Sequence, residues 1–298
     1  MKWNKNLTFS LNPDSCNDSK AVLTPKVIKL PGGGYRMFYM GASRVNAGRI
    51  LSAFSIDLNL WQKEPGIRVD TNEDQMIQRV LSPDILEISE NLWRMYYEVH
   101  LGDRSRLIRS AISKDLLNWS TEGGARIKSD LFDYGAPKCI KLDEGNYRLF
   151  FYSYPKPFSR GIDSRNHIIS GVSYDGLDFQ IEMGVRIPQD NFETENYTVY
   201  APEIIRKQNG SWLMYFSGWS WDKIEGTKGR IFSATSNDSF RWVKDKSVVI
   251  DNGGMYDYRF ASEPCLIKNC EGQYVMFYES CDSAGIKRIL KADQYYTN

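Results

Sequence analysis

Short apolar runs recur along the chain, and each is followed by a turn and a second run rich in aromatic residues. Two of the copies are TPKVIKLPGGGYRMFYMG from Thr24 and EPCLIKNCEGQYVMFYES from Glu263. The runs contain many β-branched and aromatic residues and lack a helical period, so they predict strands. Each copy has a proline near its start, and the five prolines are Pro25, Pro83, Pro137, Pro202 and Pro264.

Each of the first four copies continues into a third strand, a turn and a fourth short strand. The turn ends in an aromatic residue, which is Trp61, Trp119, Phe179 or Trp242. Four short strands per repeat are typical of a propeller blade. The sequence therefore predicts an all-β fold, a five-bladed β-propeller with four-stranded antiparallel blades. The predicted blades span approximately 21–72, 80–130, 134–190, 198–252 and 260–298. Because the tryptophans recur at a fixed place in the repeat, we expect them to pack between blades.

The fifth copy ends after its third strand, and a matching segment is found at the start of the chain. Trp3 and the residues after it resemble the segments that follow Trp61 and Trp119. We therefore expect residues 1–12 to supply the missing strand of the fifth blade. This pairing covers an otherwise open sheet edge, which is a site of aggregation. It makes residues 1–298 a single domain.

Composition narrows the function classes. The 298 residues include 38 basic and 37 acidic side chains, which disfavours nucleic acid or an anionic membrane as the main partner. No run approaches the roughly 18 apolar residues of a membrane span. The five cysteines are odd in number, lack metal-binding spacing and follow no secretory segment, so we predict reduced thiols in a cytoplasmic protein. Two histidines exclude a three-histidine metal site within one chain, and no phosphate-binding loop occurs, so no cofactor is expected.

The repeat resembles the five-bladed superfamily of arabinanases, β-xylosidases, levansucrases and invertases over nearly the whole chain. The phrases YRMFYMG, WRMYYE and SAISKDLLNW carry this resemblance. It implies a glycoside hydrolase-like protein with a carbohydrate site in the funnel of the central channel. Hydrolases of the superfamily typically carry aspartates where this chain has Thr24 and Ala136. This departure keeps two alternatives open, a non-hydrolytic propeller that binds or modifies a sugar in polysaccharide or natural-product metabolism, and a purely structural one. The sequence leaves the oligomeric state open.

The innermost strand of each blade starts around its proline, and side chains alternate faces along a strand. The residues before and after each proline should therefore share the channel face. The ring before the prolines is Thr24, Ser82, Ala136, Ala201 and Glu263. The ring after the prolines is Lys26, Asp84, Lys138, Glu203 and Cys265.

Glycoside hydrolysis usually needs two carboxylates across the scissile bond. Glu263, Glu203 and Asp84 are the predicted catalytic residues, because they come from different blades and face one channel. Lys26 and Lys138 are predicted to bind substrate. Two competing interpretations are a structural network of ion pairs in the second ring and a salt bridge between Glu263 and a residue such as Arg259.

The remaining predicted substrate contacts lie in loops. Asp133 and Asp257 precede inner strands, as do Asp74 and Glu195, and could replace the missing acids or simply cap turns. The indoles of Trp219 and Trp221 could stack on sugar rings. The predicted binding residues also include Arg259 and His167, for which an ordinary surface role is the alternative.

Overall fold

All regular elements of the computed structural model are strands. The structure describes residues 2–72, 74–156, 166–189, 198–222 and 226–295. These ranges contain no helix, so none is available there to cross a membrane. The prediction of an all-β chain is confirmed.

The strands form five antiparallel groups, numbered here as units in chain order. Unit 1 contains β2 (Ala21–Lys29), β3 (Tyr35–Ala42), β4 (Arg49–Ser55) and β5 (Gln62–Lys63). Unit 2 contains β6 (Ile77–Ser89), β7 (Leu92–Leu101), β8 (Arg106–Ser113) and β9 (Ser120–Glu122). Unit 3 contains β10 (Phe132–Lys141), β11 (Tyr147–Pro155), β12 (His167–Ser173) and β13 (Gln180–Ile181). Unit 4 contains β14 (Thr198–Arg206), β15 (Trp212–Asp222), β16 (Gly226–Ser236) and β17 (Val243–Lys244). Unit 5 contains β18 (Phe260–Lys268), β19 (Tyr274–Cys281), β20 (Lys287–Tyr295) and β1 (Lys2–Leu11).

Units 2 and 3 are separate four-stranded sheets, whereas units 4, 5 and 1 are joined in one sheet of twelve strands. The joints are two parallel bridges of one residue pair each. Gly229 of β16 pairs with Phe260 of β18, and Ala21 of β2 pairs with Lys287 of β20. In these two places an inner strand begins within hydrogen-bonding reach of the third strand of the preceding unit.

The first strand of the chain lies on unit 5. β1 pairs antiparallel with β20, from Lys2 opposite Tyr295 to Leu11 opposite Ile289, with two register shifts. Leu11 is buried in a core cluster shared with unit 1. β1 thus occupies the fourth-strand position of unit 5, as expected from Trp3.

Aromatic residues pack edge-on between successive units. The ring centroids are 5.5 to 6.0 Å apart and the planes cross at 79° to 88°. The pairs are Trp119 with Phe38, Phe179 with Tyr96, Trp242 with Phe150, Trp3 with Tyr215, and Trp61 with Phe277. Each unit contacts the unit before it, and unit 1 contacts unit 5 in the same way. The packing role predicted for Trp61, Trp119 and Trp242 is confirmed.

Candidate functional site

The backbone departs from a regular strand at the same place in all five inner strands. The residue before each proline has a φ of 46° to 52°, although none of the five is glycine. A register shift accompanies each of them, for example between Leu23 and Lys26. Such a conformation strains any residue with a Cβ and is especially disfavoured before proline. The repeated strain indicates that contacts from neighbouring units hold it in place.

Hydrogen bonds across units provide that hold. The backbone N–H of Glu263 donates to Ser217 Oγ at 2.7 Å, and that of Ala136 donates to Glu98 Oε2 at 2.8 Å. The N–H of Thr24 donates to Glu279 Oε2 at 3.3 Å. In each case the acceptor lies on the second strand of the preceding unit, so the strained bulges tie the units to one another.

The inner strands surround a narrow cavity of about 30 Å³. Its walls include the residues on both sides of the prolines, with the exception of Cys265, which lies in a hydrophobic core cluster. The prediction that both rings line one channel is therefore confirmed for nine of the ten positions. A volume of this size holds roughly one water molecule. The enclosed space is therefore too small for a sugar ring.

The charged residues of the second ring neutralise one another. Lys26 Nζ lies 2.7 Å from Asp84 Oδ1 and 3.6 Å from Glu203 Oε2, and Lys138 Nζ lies 3.3 Å and 2.8 Å from the same two oxygens. All four side chains are buried. Although burial alone raises the pKa of Asp84, the two ammonium groups hold it below its ordinary value.

The second oxygen of each carboxylate also has a partner. Asp84 Oδ2 accepts the N–H of Cys139 at 2.8 Å, and Glu203 Oε1 accepts the N–H of Leu266 at 3.2 Å. Both donors belong to the next unit. Asp84 and Glu203 therefore link units, and both oxygens of each carboxylate already have partners. The geometry likewise disagrees with substrate binding by Lys26 and Lys138, whose charges are already matched.

Glu263 has different surroundings. It forms no ion pair with any residue that the structure describes, and its one side-chain hydrogen bond is a long one, 3.4 Å from Ser82 Oγ. Burial, followed by the charges of Glu279 and Glu98, raises the pKa of Glu263 well above its ordinary value. The raised pKa favours the protonated form of this carboxyl group, which can donate a proton.

Glu98, in contrast to Glu263, has a lowered pKa. Its Oε1 lies 2.5 Å from His100 Nε2 and accepts the Tyr152 hydroxyl at 2.6 Å, while its Oε2 accepts the N–H of Ala136. Burial alone raises the pKa, but His100, Arg106 and Tyr152 outweigh it and lower the pKa of Glu98 to about 2. This carboxylate stays ionised.

Glu279 completes the group. Its Oε1 accepts the Ser262 hydroxyl at 2.7 Å and its Oε2 accepts the N–H of Thr24. Burial raises its pKa despite these bonds and the charge of Lys287. Glu98 of unit 2 and Glu279 of unit 5 thus lie close enough to Glu263 for their charges to raise its pKa.

Gly135 allows the backbone of β10 to approach the side chain of Glu98 closely. A Cβ at this position would lie 2.3 Å from Glu98 Cδ and 2.5 Å from the Tyr152 hydroxyl oxygen, closer than real Cβ contacts. A glycine is therefore needed here for the backbone of β10 to approach the carboxylate.

Glu98 and Glu279 were not among the predicted site residues. They occupy one column of the repeat, together with Met40, Tyr152 and Ser217, and each faces the residue before a bulge. The signal was a side chain with a polar group at this column of the second strand in four of the five copies.

Two predicted loop acids hold local structure. Asp133 Oδ1 accepts the N–H of Arg106 at 3.0 Å and lies 3.6 Å from Lys156 Nζ. Asp257 accepts the N–H of Gly254 and the Tyr278 hydroxyl and pairs with Lys5 Nζ at 2.9 Å. Both carboxyl groups are buried. The turn-capping alternative fits Asp257, whereas Asp133 lies in β10 and links units 2 and 3.

The other predicted loop residues have varied positions. Asp74 pairs with Arg109 at 3.1 Å, and Glu195 lies outside the described residues. His167 Nδ1 accepts the N–H of Gln189 at 3.2 Å. Arg259 is exposed and donates to the carbonyl of Ser283, so the expected salt bridge with Glu263 is not formed.

Of the two predicted stacking tryptophans, only Trp219 reaches the carboxyl group cluster, through Tyr200. Its indole N–H donates to the Tyr200 hydroxyl at 2.9 Å, and its ring lies 5.1 Å from that of Phe260. The hydroxyl of Tyr200 has a pKa raised by burial and by the charges of Glu279 and Glu263. Trp221, farther along β15, is about half exposed.

No group of three or more histidine, cysteine, aspartate or glutamate side chains in the described part of the chain has a geometry suited to a metal ion. All five cysteines are free thiols.

No protein-family model matches the sequence, and no curated protein matches it at a significant level. Solved structures do match. One described as a glycoside hydrolase has a TM-score of 0.79 at 13% identity, covering 100% of this chain and 93% of the other. The endo-arabinase from Bacteroides thetaiotaomicron has a TM-score of 0.72 at 16% identity, covering 98% and 99%.

A third match comes from work whose title states that the GH130 family of mannoside phosphorylases contains glycoside hydrolases that target β-1,2 mannosidic linkages in Candida mannan. Its TM-score is 0.76 at 12% identity, covering 97% of this chain and 93% of the other. The matched proteins are glycoside hydrolases of the arabinanase, GH43 and GH130 five-bladed propeller superfamily, so the resemblance predicted from the repeats is confirmed. At these identities the likeness shows a shared fold.

Proposed function

We propose that the five units are the blades of one closed propeller domain and that the chain acts on a carbohydrate at the mouth of its channel. The cyclic aromatic contacts, in which unit 1 packs on unit 5, support closure. The width of the channel supports the mouth as the site, because the enclosed cavity admits only water. A cytoplasmic location stays a prediction.

The observation that carries the function is the contrast between Glu263, whose pKa is raised by burial and by the charges of Glu279 and Glu98, and Glu98, whose pKa is lowered to about 2. Environments that push two carboxyl pKa values apart define an acid and a base. In this proposal Glu263 protonates the leaving oxygen of a glycosidic bond. Glu98 stabilises the positive charge that develops on the sugar ring or accepts a proton from the attacking water.

The proposed hydrolysis uses only the substrate, a water molecule and the carboxyl groups of the site. The C–O bond to the leaving sugar breaks, its oxygen takes the proton of Glu263, and a water oxygen bonds to the anomeric carbon. The proton of that water returns to a carboxylate of the site. Glu279, held by Ser262 and Thr24, maintains the high pKa of Glu263 through its proximity.

The second candidate function is sugar binding without cleavage. Thr24 and Ala136 stand where related hydrolases carry acids. Thr24 Oγ1 accepts the N–H of Ser82 at 3.1 Å, so this side chain links units. Both carboxylate oxygens of Glu98 already contact protein groups, which also favours a role in holding the structure of the site in place of cleavage.

The test is a screen of aryl glycosides and natural oligosaccharides with the wild type and the variants Glu263→Gln and Glu98→Gln. The expected result is that turnover falls by about 10³-fold in Glu263→Gln while the fold is retained. The variant Glu203→Gln serves as the comparison, because its main effect should be on stability. Binding of saccharides without turnover in the wild type would establish the second candidate, and equal turnover in wild type and Glu263→Gln would refute the assignment of the acid.

A further inference from the structure

A second and larger cavity lies between units 4 and 5, beside the channel mouth. Its volume is about 480 Å³, within the range of roughly 300–1,000 Å³ for small-molecule sites. Three aromatic residues, Trp219, Tyr258 and Phe260, form part of its wall. Unlike the channel, this cavity has room for a sugar ring.

The cavity is strongly basic. Lys228, Arg259 and Lys287 line it, and its described lining residues include no carboxylate. Lys287 is half-buried, and no carboxylate of a described residue lies within ion-pair distance of its Nζ. Lys228 Nζ lies 4.7 Å from the centre of the Tyr258 ring. Arg259 and Lys287, which line one partly enclosed space, create a positive potential that favours an oxyanion.

The cavity adjoins the carboxyl groups of the proposed active site. Trp219 is hydrogen-bonded to Tyr200, which lies beside Glu263 and Glu279. Phe260 begins the strand that carries Glu263. A saccharide with one glycosidic oxygen at Glu263 can therefore extend over Trp219 into the basic cavity.

Close packing fixes this wall. A Cβ on Gly229 would lie 2.8 Å from Phe260 Cβ and 2.9 Å from the Trp219 indole. The two rings are thus held against the backbone of β16, so the flat surface is preformed. A rigid aromatic surface next to cations is suited to a ring that carries a negative group.

We infer that this cavity binds an acidic saccharide, with a carboxylate, sulfate or phosphate of the sugar at Lys287 and Arg259 and a sugar face on Trp219. The inference rests on the proposed function for the position of the scissile bond, but the binding preference is separate from catalysis. The inference specifies an anionic saccharide as the substrate class, which the carboxyl groups at the channel mouth alone do not define.

The test uses a glycan array that carries uronate, sulfated, phosphorylated and matched neutral glycans. We expect the acidic glycans to bind and the matched neutral glycans to bind at least about ten-fold more weakly. The array also distinguishes uronate, sulfate and phosphate from one another. Isothermal titration with the best acidic glycan should then show a loss of about ten-fold in Lys287→Met and in Arg259→Gln, which corresponds to roughly 1.4 kcal/mol. Lys114→Met, which removes an exposed lysine elsewhere, is the matched control and should bind as the wild type does.

Two outcomes overturn the inference. One is equal binding of acidic and neutral glycans, or binding of neither. The other is an acidic preference that Lys287→Met and Arg259→Gln leave unchanged. The variant Glu263→Gln separates the two proposals, because it should lose turnover and keep the acidic preference. A wild type that prefers acidic glycans but never cleaves them would refute the hydrolase and leave the cavity assignment standing.

Discussion

Replacing Glu98 with glutamine should destabilise the fold by roughly 3 kcal/mol at neutral pH. The surroundings of this carboxylate lower its pKa from 4.5 to about 2, and each pH unit of that difference corresponds to about 1.4 kcal/mol. Because the folded pKa lies below the unfolded one, the stabilisation is complete above a pH of roughly 5 and disappears as the pH falls through about 2. Glutamine cannot ionise, so it provides none of this at any pH.

Urea unfolding at a series of pH values measures the effect. The difference in unfolding free energy between wild type and Glu98→Gln should be constant from pH 7 to pH 5 and shrink steadily towards pH 3. Glu87→Gln removes a carboxylate from an exposed position in the same unit and should change stability little across the range. A wild-type to Glu98→Gln difference that stays the same from pH 7 to pH 3 would refute the reasoning, because it would show that packing and not charge stabilises this site.

The same substitution bears on the proposed proton donor. The charge of Glu98 is one cause of the raised pKa of Glu263, so its removal should lower that pKa. If Glu263 donates its proton in turnover, activity falls as the pH rises through its pKa. The alkaline limb of the pH–rate profile should therefore move to lower pH in Glu98→Gln.

Three further results are expected. Gly135→Ala should displace Glu98 and abolish turnover, whereas Gly123→Ala, with open space around it, should be nearly neutral in an activity assay. Asp84→Asn should lower the unfolding free energy by about 3–5 kcal/mol in denaturant titrations, because it leaves two buried ammonium groups short of a partner. Deletion of residues 1–12 should lower the melting temperature and promote association in light scattering, because it exposes the edge of β20. An unchanged melting temperature together with a monodisperse sample would contradict this prediction.

The repeat predicted the architecture because each copy contains its own strands, turn residues and interface aromatic. Trp3 is the best example, since its likeness to Trp61 placed a strand from the opposite end of the sequence on unit 5. The packing of Trp61 on Phe277 follows from the same periodicity. Such features are local and recur, so one sequence is enough to find them.

The bulge before each proline could not be predicted in this way. Glu263 has a φ of 52° in a position where local preference favours extended backbone. The bond from its N–H to Ser217 Oγ comes from another unit, so only the assembled structure shows the compensation. Strand alternation alone put the flanking residues on the channel face, but it did not reveal the strained geometry.

The sequence could not distinguish the environments of the three predicted acids for a related reason. Asp84, Glu203 and Glu263 have similar sequence surroundings, each beside a proline that opens an inner strand. Which of them is neutralised depends on the side chains that adjacent units bring to the same level of the channel. Lys26 and Lys138 lie at the level of the first two, whereas Glu98 and Glu279 lie near Glu263.

These two levels of the channel differ in a way that packing alone does not require. At the lower level two ammonium and two carboxylate groups cancel, and backbone N–H groups of the next units occupy the remaining oxygens. At the mouth, Glu263 is held between two further carboxyl groups without a matching cation among the described residues. A partly buried acid without a matching cation opposes folding less when it is protonated. A neutral side chain would satisfy the fold better here, which supports the proton-donating role proposed for Glu263.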